Sequence, residues 1–130
     1  MGLWSVGCAS ENSTTLPLTI GKQLFQVEVA ATPRERERGL MERKQLPANG
    51  GMLFVFEQAA THCFWMHNTP LPLSIAFIDS QGRIVNLADM PPHSDDLHCA
   101  RTNVRYALEV AQGGFARRSI TTGAQVDGLP

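Results

Sequence analysis

Apolar residues recur at every second position along much of this chain, a period that predicts a protein built mainly of strands. Phe25, Val27 and Val29 alternate with Gln26 and Glu28. Together with Leu16 to Ile20, and with Gly21-Lys22 between, they read as a half-buried hairpin over Leu16–Ile20 and Leu24–Ala30. Met52 to Phe56 is apolar at every position, as a central strand covered from both sides is. Leu73 to Asp79 and Arg83 to Ala88 flank Ser80-Gln81-Gly82, whose glycine supplies the positive φ of a tight loop, so they form a second hairpin. Val104, Tyr106, Leu108 and Val110 alternate with Arg105, Ala107 and Glu109 in the clearest strand of all. A helical turn over Gly113 to Ser119 and a last strand or hairpin within Ile120 to Val126 complete the pattern.

The strand period is interrupted once by a helix. Thr32 is a capping residue and Pro33 suits the first helical position, so a helix is expected from Pro33 to about Arg43, docked through Leu40 and Met41. The alternating charges of Arg34 to Arg38 are its solvated face. Many short strands and one helix give a mainly β class with a minor α+β element. The architecture expected is a compact antiparallel β-sandwich or a partly open barrel, with one short helix near 33–43. The segment from Asp89 to Asn103 carries two prolines, two histidines and three aspartates and is expected to be a long functional loop.

Composition narrows the class. At 130 residues and 43% hydrophobic content, the chain can bury one core without metal or disulfide staples, so residues 16–130 form a single domain. Residues 1–15 are small, polar and without periodicity, and are read as a flexible leader segment. A net charge of -1 gives no footprint for nucleic acid, and no apolar stretch is long enough to span a bilayer.

The densest candidate chemistry lies in Cys63-Phe64-Trp65-Met66-His67-Asn68-Thr69-Pro70-Leu71-Pro72-Leu73. On a strand, Cys63, Trp65, His67 and Thr69 share one face and Phe64, Met66 and Asn68 the other. Pro70 and Pro72 stiffen the end of that strand, which favours a preformed pocket wall. The alternative is structural: Phe64 and Met66 fill core while Trp65 covers a rim.

The run from Phe64 to Leu73 follows Gly39-Leu40-Met41-Glu42-Arg43 and Gly51-Met52-Leu53-Phe54-Val55-Phe56, and precedes Tyr106-Ala107-Leu108-Glu109-Val110. In that order these motifs, spread from about Thr19 to Val126, resemble the domain of unknown function 192 family. The resemblance implies a small, mainly β domain, frequently exported in bacteria, with no established activity. Three positions depart from the family pattern: His67 stands where a lysine is usual, Ser74 where an aspartate is, and Gly123-Ala124 where a Gly-Asp pair is.

With export implied, the three cysteines acquire a reading. Gly7-Cys8 resembles the end of a bacterial lipoprotein cleavage site and makes Cys8 a lipidation candidate, although no basic leader precedes it. Cys63 and Cys99 are then left as a disulfide candidate, with two shielded thiols as the alternative. All four histidines, His62, His67, His93 and His98, lie in the motif strand or the long loop, but no metal-ligand spacing accompanies them, and no metal or other cofactor is expected. Glu109, if it faces inward, calls for a cation, and Arg43 and Arg105 are the partners on offer.

The function expected is therefore non-catalytic binding of a small polar ligand, such as a sugar, amino acid or carboxylate. Its cleft is lined by Trp65, His67 and Asn68, with Arg43 and Glu109 at the polar end. Two other classes compete: a thiol- or metal-dependent enzyme using the loop histidines and Cys99, and a protein-protein module of the cell envelope presenting Trp65 and Pro70 to Pro72. The location expected is periplasmic or secreted, with a lipid anchor as a variant and the cytoplasm as the alternative.

Overall fold

The computed structural model describes residues 15–130. Cys8 and residues 1–14 of the expected flexible N-terminal segment lie outside the described residues. Among the described residues the chain is mostly β, with one large curled half-barrel sheet, a small second sheet and one short α-helix. In chain order the elements are β1 (Leu16–Ile20), β2 (Gln23–Ala30), α1 (Pro33–Arg38), β3 (Gly50–Ala60), β4 (Cys63–Phe64), β5 (Leu73–Ile78), β6 (Ile84–Met90), β7 (His98–Cys99), β8 (Val104–Ala111) and β9 (Val126–Asp127), with a 3-10 turn at Ala116–Arg118 before β9. The large sheet runs β9-β1-β2-β3-β8-β5-β6, and β4 pairs with β7 alone.

Both predicted hairpins form. Leu18 faces Phe25 across β1 and β2, and Ala76 faces Leu87 across β5 and β6. The second hairpin turns at Gly82, φ 83°, where the Asp79 carboxylate accepts hydrogen bonds from the backbone N–H groups of Gln81 and Arg83. One pair departs from the antiparallel pattern: β2 and β3 run parallel, Glu28 beside Met52 and Val29 beside Leu53. A parallel return needs a crossover, and α1 with its flanking loops supplies it. The helix starts as the sequence predicts, since Thr32 and Glu35 form a reciprocal capping box and Pro33 occupies the first turn. It is shorter than expected and stops at Arg38, because Gly39 adopts φ 50° and turns the chain. Leu40 still docks, buried in the turn that follows.

Alternation along β3, β5 and β8 gives the sheet two apolar faces. Leu53, Ala76, Ile78, Tyr106, Leu108 and Val110 join Leu18, Phe25 and Val27 on one side. Met52, Phe54, Ile75, Phe77 and Ala107 lie on the other, under Leu40 and Met66. Gly51 lets β3 and β8 approach, since a Cβ there would collide with the carbonyl of Glu109.

The expected motif strand is the largest correction to the fold. Regular pairing covers only Cys63 and Phe64, opposite Cys99 and His98. Beyond them the Met66 N–H donates to the Ser94 carbonyl at 2.8 Å and the Thr69 N–H closes a turn onto the Met66 carbonyl at 3.1 Å. The loop expected over Asp89–Asn103 is shortened at its start, since β6 continues to Met90, and is interrupted by β7, while its end at Asn103 stands. The expected strand within Ile120–Val126 shrinks to β9 at Val126–Asp127.

Candidate functional site

A cavity of about 440 Å³ opens between α1 with its following turn and the segment from Cys63 to Thr69. Phe54, Phe56 and Phe64 form its apolar wall. Their rings interlock edge to face, with centroids 4.9 Å apart for Phe54 and Phe64 and 5.9 Å for Phe56 and Phe64. Trp65 and His67 stand at the mouth. The imidazole stacks on the indole at a centroid distance of 4.7 Å and 23° between planes. Trp65 is 48% exposed and Leu97, also at the mouth, 64% exposed. Met66 is 1% exposed and fills core, whereas Phe64, expected beside it there, lines the cavity, and Trp65 stands at the rim.

Glu109 also lines this cavity and is only 4% exposed. It extends from β8 on the same face as Ala107, beside Met52 of β3 and Ile75 of β5. Among the described residues no side chain or backbone donor reaches its carboxyl group. Burial alone pushes its pKa up to about 8, so the group is a neutral acid at pH 7.

The cation expected beside it is elsewhere. Arg43 makes a two-pronged contact with Glu28, Nη1 to Oε2 at 2.8 Å and Nη2 to Oε1 at 2.7 Å, outside this cavity. Arg105 donates to the Phe56 carbonyl at 2.8 Å. Pairing of Glu109 with either arginine is thus overturned, because each has a nearer acceptor. Asn68 is also displaced from its expected place. It adopts φ 54°, which asparagine tolerates, and its carbonyl accepts a 2.7 Å bond from the Glu42 N–H, so it works through its backbone to join the motif to the turn after α1. Of the residues expected at the site, Trp65, His67 and Glu109 share the cavity, while Arg43 and Asn68 do not line it.

Cys63 and Cys99 are joined by a disulfide that ties β4 to β7. Both thiols are consumed, which removes the reading of Cys99 as a nucleophile. His62 stacks on Phe56 at 3.6 Å, and the Nε2 atom of His98 is buried with no partner among the described residues. Among the described residues, no group of three or more His, Cys, Asp or Glu side chains is placed to hold a metal ion.

Sequence reasoning missed Phe54, Phe56, Leu40 and Arg36 as cavity residues. Their signal was present only as continuous apolarity in β3 and as proximity of the Gly39 to Arg43 motif. Which face of β3 met Glu109 depended on a register no local pattern discloses.

The profile of the family DUF192, described as "Uncharacterized ACR", matches residues 16–128. The chain belongs to the DUF192 family. Two crystal structures share the fold of this DUF192 domain. One, from Sinorhizobium meliloti 1021 and provisionally designated a transcription regulator, is 35% identical with a TM-score of 0.82, covering 88% of this chain and 92% of its own. The other, a protein of unknown function from Novosphingobium aromaticivorans DSM 12444, is 32% identical with a TM-score of 0.83, covering 87% of this chain and 84% of its own. No curated protein matches the chain.

Proposed function

We propose that this DUF192 domain binds a small organic ligand in the cavity beneath Trp65, without catalysing a reaction on it. The observation that carries the reading is Glu109. A buried carboxyl group without a protein partner costs several kcal/mol unless something satisfies it, and here it faces a cavity of ligand size. Interlocked phenylalanines suit an apolar body, and the exposed indole with its stacked imidazole suits a lid over the bound molecule. A ligand with one polar head and an apolar body fits this lining. The Cys63–Cys99 bond supports residence in an oxidising compartment, periplasmic or extracellular. Among the described residues no helix is long and apolar enough to cross a membrane.

A thermal-shift screen of small organic molecules tests this. A ligand is expected to raise the unfolding midpoint, and Trp65→Ala is expected to abolish most of that rise. The proposal fails if no compound moves the midpoint, or if the response survives in Trp65→Ala.

A second reading rests on the two exposed apolar side chains at the cavity mouth, Trp65 and Leu97, which suit contact with an envelope protein. Regulation of transcription, the designation of one structural relative, finds no support in a net charge of -1.

A further inference from the structure

Glu109 gives the cavity a buried acid, and Phe54, Phe56, Phe64 and Trp65 line the space with it. Ring faces carry partial negative charge and attract cations. Glu109 adds a carboxyl group with no positive partner among the described residues.

The cations at the rim are engaged elsewhere. Arg36 donates through Nη1 to the carbonyls of Ala31 and Val55, and its guanidinium lies 5.3 Å from the centre of the Phe56 ring. Arg38 meets Glu42 at 3.2 Å, and Glu37 supplies a further negative charge at the rim. The Thr69 hydroxyl donates to the His67 carbonyl at 3.0 Å and is not free to serve a ligand in that role. A carboxylate ligand would thus meet a second carboxyl group, and a sugar would find few free polar partners. An ammonium finds an aromatic lining and an acid.

Resting on the ligand-binding reading above, we propose that the cavity takes an organic cation, an alkyl or arylalkyl ammonium whose body lies among Phe54, Phe56, Phe64 and Trp65 and whose nitrogen meets Glu109. Binding is an exchange that balances: the Glu109 carboxylic acid and the ammonium give a carboxylate-ammonium pair and one released proton. No bond in the ligand breaks. The side chains around Glu109 on β8, β3 and β5, namely Ala107, Met52 and Ile75, do not titrate, so the titratable groups that share its surroundings are Arg36, Glu37 and Arg38 of α1 and His67 of the motif.

The test is calorimetry on the full chain with three probes of similar shape: phenethylammonium, 2-phenylethanol and 3-phenylpropanoate. Phenethylammonium is expected to bind, the alcohol and the acid far more weakly. Its affinity is expected to rise about tenfold from pH 6 to pH 7, the slope of one released proton. Repeating the titration in buffers of different ionisation enthalpy is expected to report close to one proton released per ligand. Glu109→Gln is expected to lose both the slope and the proton release while remaining folded at pH 6, with an unfolding midpoint at or above the parent's. The assignment is overturned if phenethylammonium binds with no proton release, or if the alcohol or the acid binds better. In the latter case the cavity is still a binding site for another class. If none of the three binds at millimolar concentration, the cation assignment and the ligand-binding reading fall together.

Discussion

Glu28 and Glu109 stand in one row across the sheet on the same face, with Met52 between them, yet among the described residues only Glu28 has a cation. Neighbouring strands are spaced by about 4.8 Å, so the two carboxyl groups spring from backbones about 10 Å apart. Arg43 reaches the outer one. The same face therefore holds an ionised, half-exposed carboxylate at one position and a buried neutral acid two strands further in, which sets opposite responses to pH.

The Arg43 contact, chiefly its hydrogen bonds, holds the Glu28 carboxyl below its ordinary value of 4.5. A group whose folded value is depressed contributes stability at higher pH and loses it as pH falls through that folded value. Both side chains are about a third exposed, so solvent screening keeps the effect small. Arg43→Ala is expected to cost about 0.5–1 kcal/mol at pH 7 and almost nothing in acid once Glu28 is protonated. Urea unfolding at the two conditions checks this, and an equal cost at both would show that the contact acts through packing instead of charge.

Glu109 behaves in the opposite sense. Below 4.5 it is protonated in both the folded and unfolded chain, whereas between 4.5 and about 8 the unfolded chain ionises and the folded one keeps its proton. Stability is then fully present below 4.5, declines across that window by up to about 1.4 kcal/mol per pH unit, and levels off above it. Glu109→Gln, neutral at every pH, is expected to flatten this decline and to be more stable than the parent at pH 8. Denaturant midpoints measured from pH 5 to 9 decide it; parallel curves for the two proteins would mean that Glu109 is ionised in the fold.

The Cys63–Cys99 bond closes a loop with a sequence separation of 36 and fixes the two-stranded sheet that leads into Trp65. Loops of this size gain about 3–4 kcal/mol from closure in the chain-entropy description. The double variant Cys63→Ser and Cys99→Ser is expected to unfold at lower denaturant by roughly that amount, and intact mass under non-reducing conditions is expected to lack two hydrogens relative to the reduced chain. An unchanged mass on reduction would remove the bond from the account.

Much of the fold was legible from local pattern. Leu18, Phe25 and Val27 announced the first hairpin, Gly82 the second, and Thr32 with Pro33 the start of α1, because capping, turns and alternation act between residues close in sequence. Trp65 and His67 were legible as neighbours for the same reason. The length of the motif strand was not, since Met66 and Thr69 take backbone bonds from a segment and a turn that no alternation records. Nor was the cavity wall, because Phe54 and Phe56 become partners of Phe64 only when β4 folds over β3.

The order of side chains along the chain by itself determined a mainly β domain with a single capped helix, since each of those features is settled within a few residues. Tertiary structure decided which acid received Arg43 and which was left alone over a cavity. That outcome depends on the parallel register that sets Glu28 beside Met52, and on the antiparallel one that sets Met52 beside Glu109. Charge pairing is a matter of distance in space, and the distance exists only once strands far apart in sequence lie side by side.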